Sequence, residues 1–305
     1  MYTNLQNEVT VMDKTDRKNA VGFAFSGGGL QGIAHVGAIK ALYEMGIKPQ
    51  YVSGTSSGSA MAALVAMGCD ADDMKRVAEK YWKDLVKFNP TSILQSIVAL
   101  KFSRKNPGDG LMDGVIVEAM MKSVMEEKGL KTFHDLPINL TVCTNDTKST
   151  DEVIITTYEE NLQNEYVQYI TDVPVEIAVR ASMSFPGLFT TCNYKDYNFI
   201  DGGSKDNLPV KVLKDMGVGK VLALAFDVMD YTPQTGIDGL MKVIWRALDL
   251  YSINGTRKSM EMADYCVQIK NENTALFSMD NIDQTIQEGY NCVMLHKDEI
   301  MKIFK

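Results

Sequence analysis

VSGTSSGSAMAAL, Val52 to Leu64, is the stretch on which the fold turns. An apolar run enters a knot of glycine and serine, and a run of small, helix-forming residues leaves it. Ser56 stands at the centre with Gly54 and Gly58 two positions away on either side, so the spacing reads G-x-S-x-G. Glycines there relieve crowding and let a serine take a strained backbone at a sharp strand-to-helix turn, its Oγ outward. Ser53, Ser57 and Ser59 crowd the same turn without that symmetry. A glycine- and serine-rich helix start with no chemistry is the plainer alternative.

Working outward, VGFAF (21–25) reads as a buried strand, short, apolar and closed by glycines. GIAHVGAIKALYEMG (32–46) has helical spacing and a glycine stop. QYVS (50–53) is a second strand and 57–67 a small-residue helix. Strand, turn and helix, twice over, is the rhythm of an α/β protein with a parallel sheet. Further on, helices are expected over 70–88, 91–102, 113–128, 173–184 and 236–263, with a closing helix over 283–304. Strands are expected over 138–144, 152–157, 197–203, 218–228 and, as the last, 265–269. Residues 1–19 read as a loose polar arm and 20–305 as one domain, since no linker divides it. Length alone would suggest about two domains, but single α/β domains of this size are common.

The glycine loop SGGGLQG follows the first strand. Gly27, Gly29 and Gly32 satisfy G-x-G-x-x-G, a dinucleotide-binding pattern. That mechanism also needs an acid at the end of the second strand to hold a ribose. The second strand ends instead in VSGTSSG, and Glu44 lies within the preceding helix, so the nucleotide reading is the weaker one. Backbone N–H groups and a helix start can equally hold the oxyanion of an acyl-transfer intermediate. A tight turn without a ligand is the third reading.

Composition narrows the classes. A formal net charge of −8 gives no support to nucleic-acid binding. Five scattered cysteines with no C-x-x-C pair argue against a disulfide framework or a zinc site and suit a reducing compartment. The polar N-terminus has no apolar signal region, and no apolar stretch reaches the ~20 residues of a spanning helix. A cytoplasmic location is the expectation, with no metal or other cofactor and no calcium loop.

A serine nucleophile needs a base. The chain has three histidines. His35 lies in the first helix pattern, His134 in a loop and His296 in a late helix, and none carries a motif. Asp201, in YNFIDGGSKDNLP, follows a strand and precedes two glycines that would let another turn approach. An ordinary Asp-Gly turn explains it as well. Asp206 is a candidate for bracing the loop.

Taken together, GGGLQG, then GTSSG, then DGG far downstream, with RASMSFPGLF (180–189) before it, resembles the patatin-like phospholipases from about residue 20 to the end. The resemblance implies a three-layer α/β/α sandwich around a mostly parallel central sheet. It implies a Ser–Asp dyad, with Ser56 as nucleophile and Asp201 as base. Gly27, Gly28 and Gly29 would form the oxyanion loop, and Gly32, Gly54, Gly58, Gly202 and Gly203 would support the turns. The activity implied is metal-free hydrolysis of acyl lipids. One position departs: the family usually has Arg or Lys where Gln31 stands, which implies weaker oxyanion stabilisation or altered substrate preference. A catalytically weak lipid-binding member is the alternative.

Residues 82–105 carry five basic residues and one acid on an apolar helical pattern. That would suit docking on an anionic membrane or a lid over an acyl pocket. A core-packing helix with basic ends is the favoured reading. Oligomeric state, head group and acyl length leave no mark in the sequence.

Overall fold

A computed structural model describes residues 17–86, 110–157, 166–226, 240–270, 274–275, 278–279 and 281–305. The strands are β1 (Val21–Phe25), β2 (Tyr51–Thr55), β3 (Gly110–Met112), β4 (Asn139–Asp146), β5 (Glu152–Thr156), β6 (Val167–Ile170) and β7 (Gly187–Phe189). They continue with β8 (Cys192–Tyr194), β9 (Tyr197–Asp201), β10 (Lys220–Phe226), β11 (Tyr265–Ile269), β12 (Thr274–Ala275) and β13 (Ser278–Met279). The α-helices are α1 (Ala34–Glu44), α2 (Ser57–Ala66), α3 (Ala71–Val86), α4 (Val115–Glu127) and α5 (Val175–Ser182). After them come α6 (Val210–Asp215), α7 (Leu240–Met262), α8 (Ile282–Leu295) and α9 (Lys297–Phe304).

The main sheet runs β11-β10-β1-β2-β4-β5-β6, with β9 joined to β4 and β8 to β9. Every pairing from β11 to β4 is parallel, as is β5 with β6; β4 pairs antiparallel with β5 and β9, and β9 with β8. A strand in the middle of such a sheet is covered on both faces and reads as an unbroken apolar run. VGFAF does so. Phe23 and Phe25 point into one core with α1, α2, α4 and α8, and Ala24 points into the other, with Leu208, Val210 and Leu213. Each fully buried phenylalanine removes enough apolar surface to contribute about 1.5–3 kcal/mol. The result is the expected three layers: helices, mostly parallel sheet, helices.

Close packing of α1 on α8 fixes one layer. A Cβ at Gly37 would lie 1.7 Å from the Ile286 carbonyl oxygen, and one at Gly289 would lie 1.9 Å from that of Ala34. Only glycine permits that approach.

Several expectations shift. The helix expected from Gly32 starts instead at Ala34, because Gly29–Ile33 forms a 3-10 turn. The expected closing helix is two helices hinged at His296, whose Nδ1 lies 2.9 Å from the Tyr265 hydroxyl. The strand into DGG stops at Asp201, and Gly202–Ser204 turns into 3-10 geometry. Strands β3, β6, β7, β8, β12 and β13 carried no expectation. All are four residues or shorter, too short to show a period. The helix expected over 91–102 lies outside the described residues. So does the arm over 1–16, whereas Arg17 is buried and its Nη1 donates to the Met216 carbonyl at 3.5 Å.

Candidate active site

Strand β2 delivers Ser56 at its end. The residue has φ +53° and ψ −128°, a conformation that side chains other than hydrogen rarely take. Holding it costs about 1–3 kcal/mol, which the surroundings must offset. They do so with hydrogen bonds. The Ser56 amide donates to Ser182 Oγ at 2.9 Å, and its carbonyl accepts from Ser59 N at 2.9 Å and Ser59 Oγ at 2.6 Å. The flanking glycines are required by proximity. A Cβ at Gly54 would lie 2.2 Å from the Gly58 carbonyl oxygen, and one at Gly58 would lie 2.3 Å from that of Phe25.

Sheet register brings Asp201 to this serine across 145 positions of sequence (201 minus 56). Thr55 pairs with Cys143 on β4, so the next step along β4, Thr144, lies beside Ser56. Thr144 in turn pairs with Asp201 on β9. The Asp201 amide donates to the Ser184 carbonyl at 3.0 Å, and Asn145 Nδ2 donates to the Asp201 carbonyl at 2.9 Å.

The Asp201 side chain is buried, with 4% exposure. Its Oδ1 accepts from the Gly203 amide at 2.8 Å, and its buried Oδ2 has no hydrogen-bond partner among the described residues. Burial pushes the carboxyl up to about 6, against the opposing pulls of the Ser56 hydroxyl and the Gly203 amide.

The glycine loop leaves β1 and lies against the same serine. A Cβ at Gly27 would be 3.0 Å from Ser56 Cβ. Gly27 N donates to the Asn207 carbonyl at 3.1 Å and Gly28 N to Ser57 Oγ at 3.1 Å. The Gly29 amide, at φ +57°, has no acceptor among the described residues. Gly32 packs on Ser57 and Gly202 on the Cys143 carbonyl. All the glycines expected to support the site therefore lie within it. Gln31 sits in the 3-10 turn, its amide donating to the Gly28 carbonyl at 3.2 Å.

None of the histidines is hydrogen-bonded to Ser56 among the described residues. His35 is fully buried beside the Phe25 and Phe226 rings, its Nε2 3.1 Å from the Ser26 carbonyl, and burial lowers its pKa to about 4. His134 is exposed in the 3-10 turn Phe133–Asp135, and His296 contacts Tyr265.

The loop after Asp201 is tied to both other parts of the site. Asp206 braces it as expected: its Oδ1 accepts from Leu208 N at 3.2 Å, and its carbonyl accepts from Thr55 Oγ1 at 2.7 Å. Sequence reasoning missed Asn207 and Ser182. Each acts through hydrogen bonds to residues far away in sequence, Ser182 to the Ser56 amide and the Cys143 carbonyl and Asn207 to the Gly27 amide and carbonyl, and these leave no periodic trace. Among the described residues, Cys143, Glu152 and Asp206 form a group whose donor atoms lie within 4.8 Å of one another. Burial raises all three, Asp206 to about 7, so the group favours protons over free charge.

No helix among the described residues is long and apolar enough to cross a membrane. Of the stretch 82–105, only 82–86 is described, as the end of α3; the remainder lies outside.

Comparison with known proteins matches residues 23–214 to the family model Patatin-like phospholipase. The chain is 29% identical over 216 residues to patatin-like phospholipase domain-containing protein 6 of Mus musculus, covering 70% of this chain and 14% of that protein. It is 30% identical over 224 residues to lysophospholipase NTE1 of Meyerozyma guilliermondii, covering 72% of this chain and 14% of that one. The chain thus spans about one seventh of the length of these curated relatives. Human GIVD cytosolic phospholipase A2 superposes with a TM-score of 0.50 at 11% identity, covering 95% of this chain and 60% of that one, a likeness of fold alone.

Proposed function

The chain belongs to the patatin-like phospholipase family, and from that premise we propose that it hydrolyses acyl lipids through a Ser56–Asp201 dyad. The observation that carries the reading is Asp201. Its carboxyl is buried beside a strained serine, has one oxygen without a partner among the described residues and is raised to about 6. A free aspartate titrates near ~3.9 and is a poor base at neutral pH. The shift brings Asp201 closer to working pH while leaving it ionised there, which is what general-base catalysis asks of it.

In the first half-reaction Asp201 accepts the Ser56 proton as Oγ bonds to the ester carbonyl carbon. Charge moves to the carbonyl oxygen, which the glycine-loop amides hold. Gly29 N–H is free for this, and Gly28 N–H is released when the Ser57 hydroxyl turns away. The carbon–oxygen bond to the alcohol or lysolipid breaks, and that oxygen takes the proton from Asp201. In the second half, water gives a proton to Asp201 and its oxygen bonds to the acyl carbon; the bond from that carbon to Ser56 Oγ breaks, Oγ takes the proton back from Asp201, and the fatty acid is freed with Ser56 and Asp201 restored. An acyl lipid is the substrate class in this reading, 20–305 acts as one domain, and the cytoplasm is the site of action.

The experiment compares wild type, Ser56→Ala and Asp201→Asn on a short-chain p-nitrophenyl ester and on a phospholipid. Loss of the general base is expected to lower the rate by about two to four orders of magnitude. Ser56→Ala should fall to background with the fold intact. A wild type inert on every ester would instead favour a lipid-binding role, with Gln31 the first suspect.

A further inference from the structure

We infer that Ser182 is a positioning residue of the reaction, setting the nucleophile in register with its base; this rests on the Ser56–Asp201 reading. Ser182 closes helix α5 and is fully buried. Its hydroxyl makes two hydrogen bonds. Oγ accepts from the Ser56 amide at 2.9 Å and donates to the Cys143 carbonyl at 2.6 Å. The first bond gives the strained residue's N–H its partner. The second ties that N–H to β4, the strand between Ser56 and Asp201.

Two positions further on, the same segment grips the base. The Ser184 carbonyl accepts from the Asp201 amide at 3.0 Å. The segment is itself fastened. Arg180 is buried, and its guanidinium donates to the Asp113 carbonyl at 3.0 Å and 2.7 Å, to the Thr190 carbonyl at 2.8 Å and to Ser184 Oγ. Residues 180–184 therefore form a rigid bracket with one hold on each reacting residue. Of the bracket's two holds, the one from the Ser182 hydroxyl to Ser56 is the one a side-chain substitution removes, because the Ser184 hold on Asp201 is backbone.

Without the hydroxyl, the Ser56 N–H and the Cys143 carbonyl each lose a buried partner. The serine can then relax from its positive φ, and Oγ leaves the line between base and substrate carbonyl. Misplacement by about 1 Å can cost on the order of a hundredfold in rate.

The test uses the full chain as wild type, Ser182→Ala, Ser182→Thr and, should alanine fail to fold, the nearly isosteric Ser182→Cys. Three quantities are read: kcat and KM on a p-nitrophenyl ester, the rate of Ser56 labelling by a fluorophosphonate, and hydrogen exchange of the Ser56 amide. In Ser182→Ala, or in its cysteine substitute, kcat and labelling are expected to fall about ten- to a hundredfold, with KM within about twofold and the pH profile unmoved. The Ser56 amide should lose its protection, and threonine should restore all three readings. Wild-type labelling in a folded Ser182→Ala overturns the inference. So does a slowed variant whose Ser56 amide stays protected, since the effect then travels another way. A wild type that neither turns over nor takes label overturns the hydrolase reading and this inference with it, an outcome distinct from the other two.

Discussion

At the scale of single residues, the proposed chemistry depends on where Asp201 sits. Its carboxyl is raised to about 6 chiefly by burial, with Ser56 and Gly203 pulling it back. A base works only when deprotonated, so activity should rise with pH through about 6 and level off above it. The measurement is kcat/KM against pH from about 4.5 to 8. An acid limb near 6 is expected, and His35 does not supply it, being buried and lowered to about 4. A limb near the ordinary aspartate value would mean that the carboxyl is solvated during turnover. Much of this site was legible in the sequence. Ser56 announced itself by symmetrical glycines, and Asp201 by the two glycines after it. The pairing of the two was not legible from spacing, because register between β2, β4 and β9 creates it and neighbouring strands here lie far apart in sequence. Ser182 and Asn207 were missed for a simpler reason: each works through hydrogen bonds to backbone, which any serine or asparagine could make.

At the scale of elements, long apolar runs and periodic helices were readable and edges were not. VGFAF and VLALAF declare buried strands because both faces are covered. The helix expected over 283–304 has sustained apolar spacing through its break, so sequence periodicity runs straight across His296. What interrupts it is tertiary: the contact of that histidine with Tyr265 on β11. The contact of α1 with α8 is tertiary too, and it makes a prediction remote from the chemistry. A methyl at Gly289 would meet the Ala34 carbonyl oxygen at 1.9 Å, and backbone cannot step aside as a side chain can. Gly289→Ala should push the helices apart and destabilise the protein by about 1–3 kcal/mol, the usual cost of overpacking. Thermal melting checks it, alongside the specific activity per folded molecule, which should hold. An unchanged melting temperature would mean that the two helices slide freely on one another.

At the scale of the whole molecule, the site loop doubles as a store of protons. Asp206 follows Asp201 in the same loop and keeps some exposure as a residue, yet burial of its carboxyl first, and Glu152 second, raise it to about 7. Glu152 is raised as well, although Lys205 and Lys211 pull against its burial. Lys211 pairs with Asp215, and Lys205 donates to the Thr150 carbonyl, so both lysines are engaged elsewhere. The sign follows from proton counts. Between the unfolded aspartate value of 3.8 and about 7, the folded protein holds a proton on Asp206 that the unfolded chain has lost. Stability from this group is therefore greatest at the acidic end of that window. It declines as pH rises and is flat above about 7. Asp201 acts in the same direction between 3.8 and about 6. Asp73, Asp135 and Asp172 act oppositely, because partners that bind the ionised form lower them, and their contribution is lost only as pH falls below the ordinary aspartate range. His35, lowered by burial from 6.5 to about 4, also acts oppositely between those values, but Asp206, Asp201 and Glu152 together outweigh it, so wild type should be more stable near pH 5 than near pH 8. Asp206→Asn keeps an acceptor for Leu208 N and has no charge to bury, so most of that difference should vanish, with the variant the more stable of the two at pH 8. Urea unfolding of both proteins at the two pH values measures it. If the wild-type dependence survives in the variant, the proton resides elsewhere, and Glu152→Gln becomes the variant that should remove it.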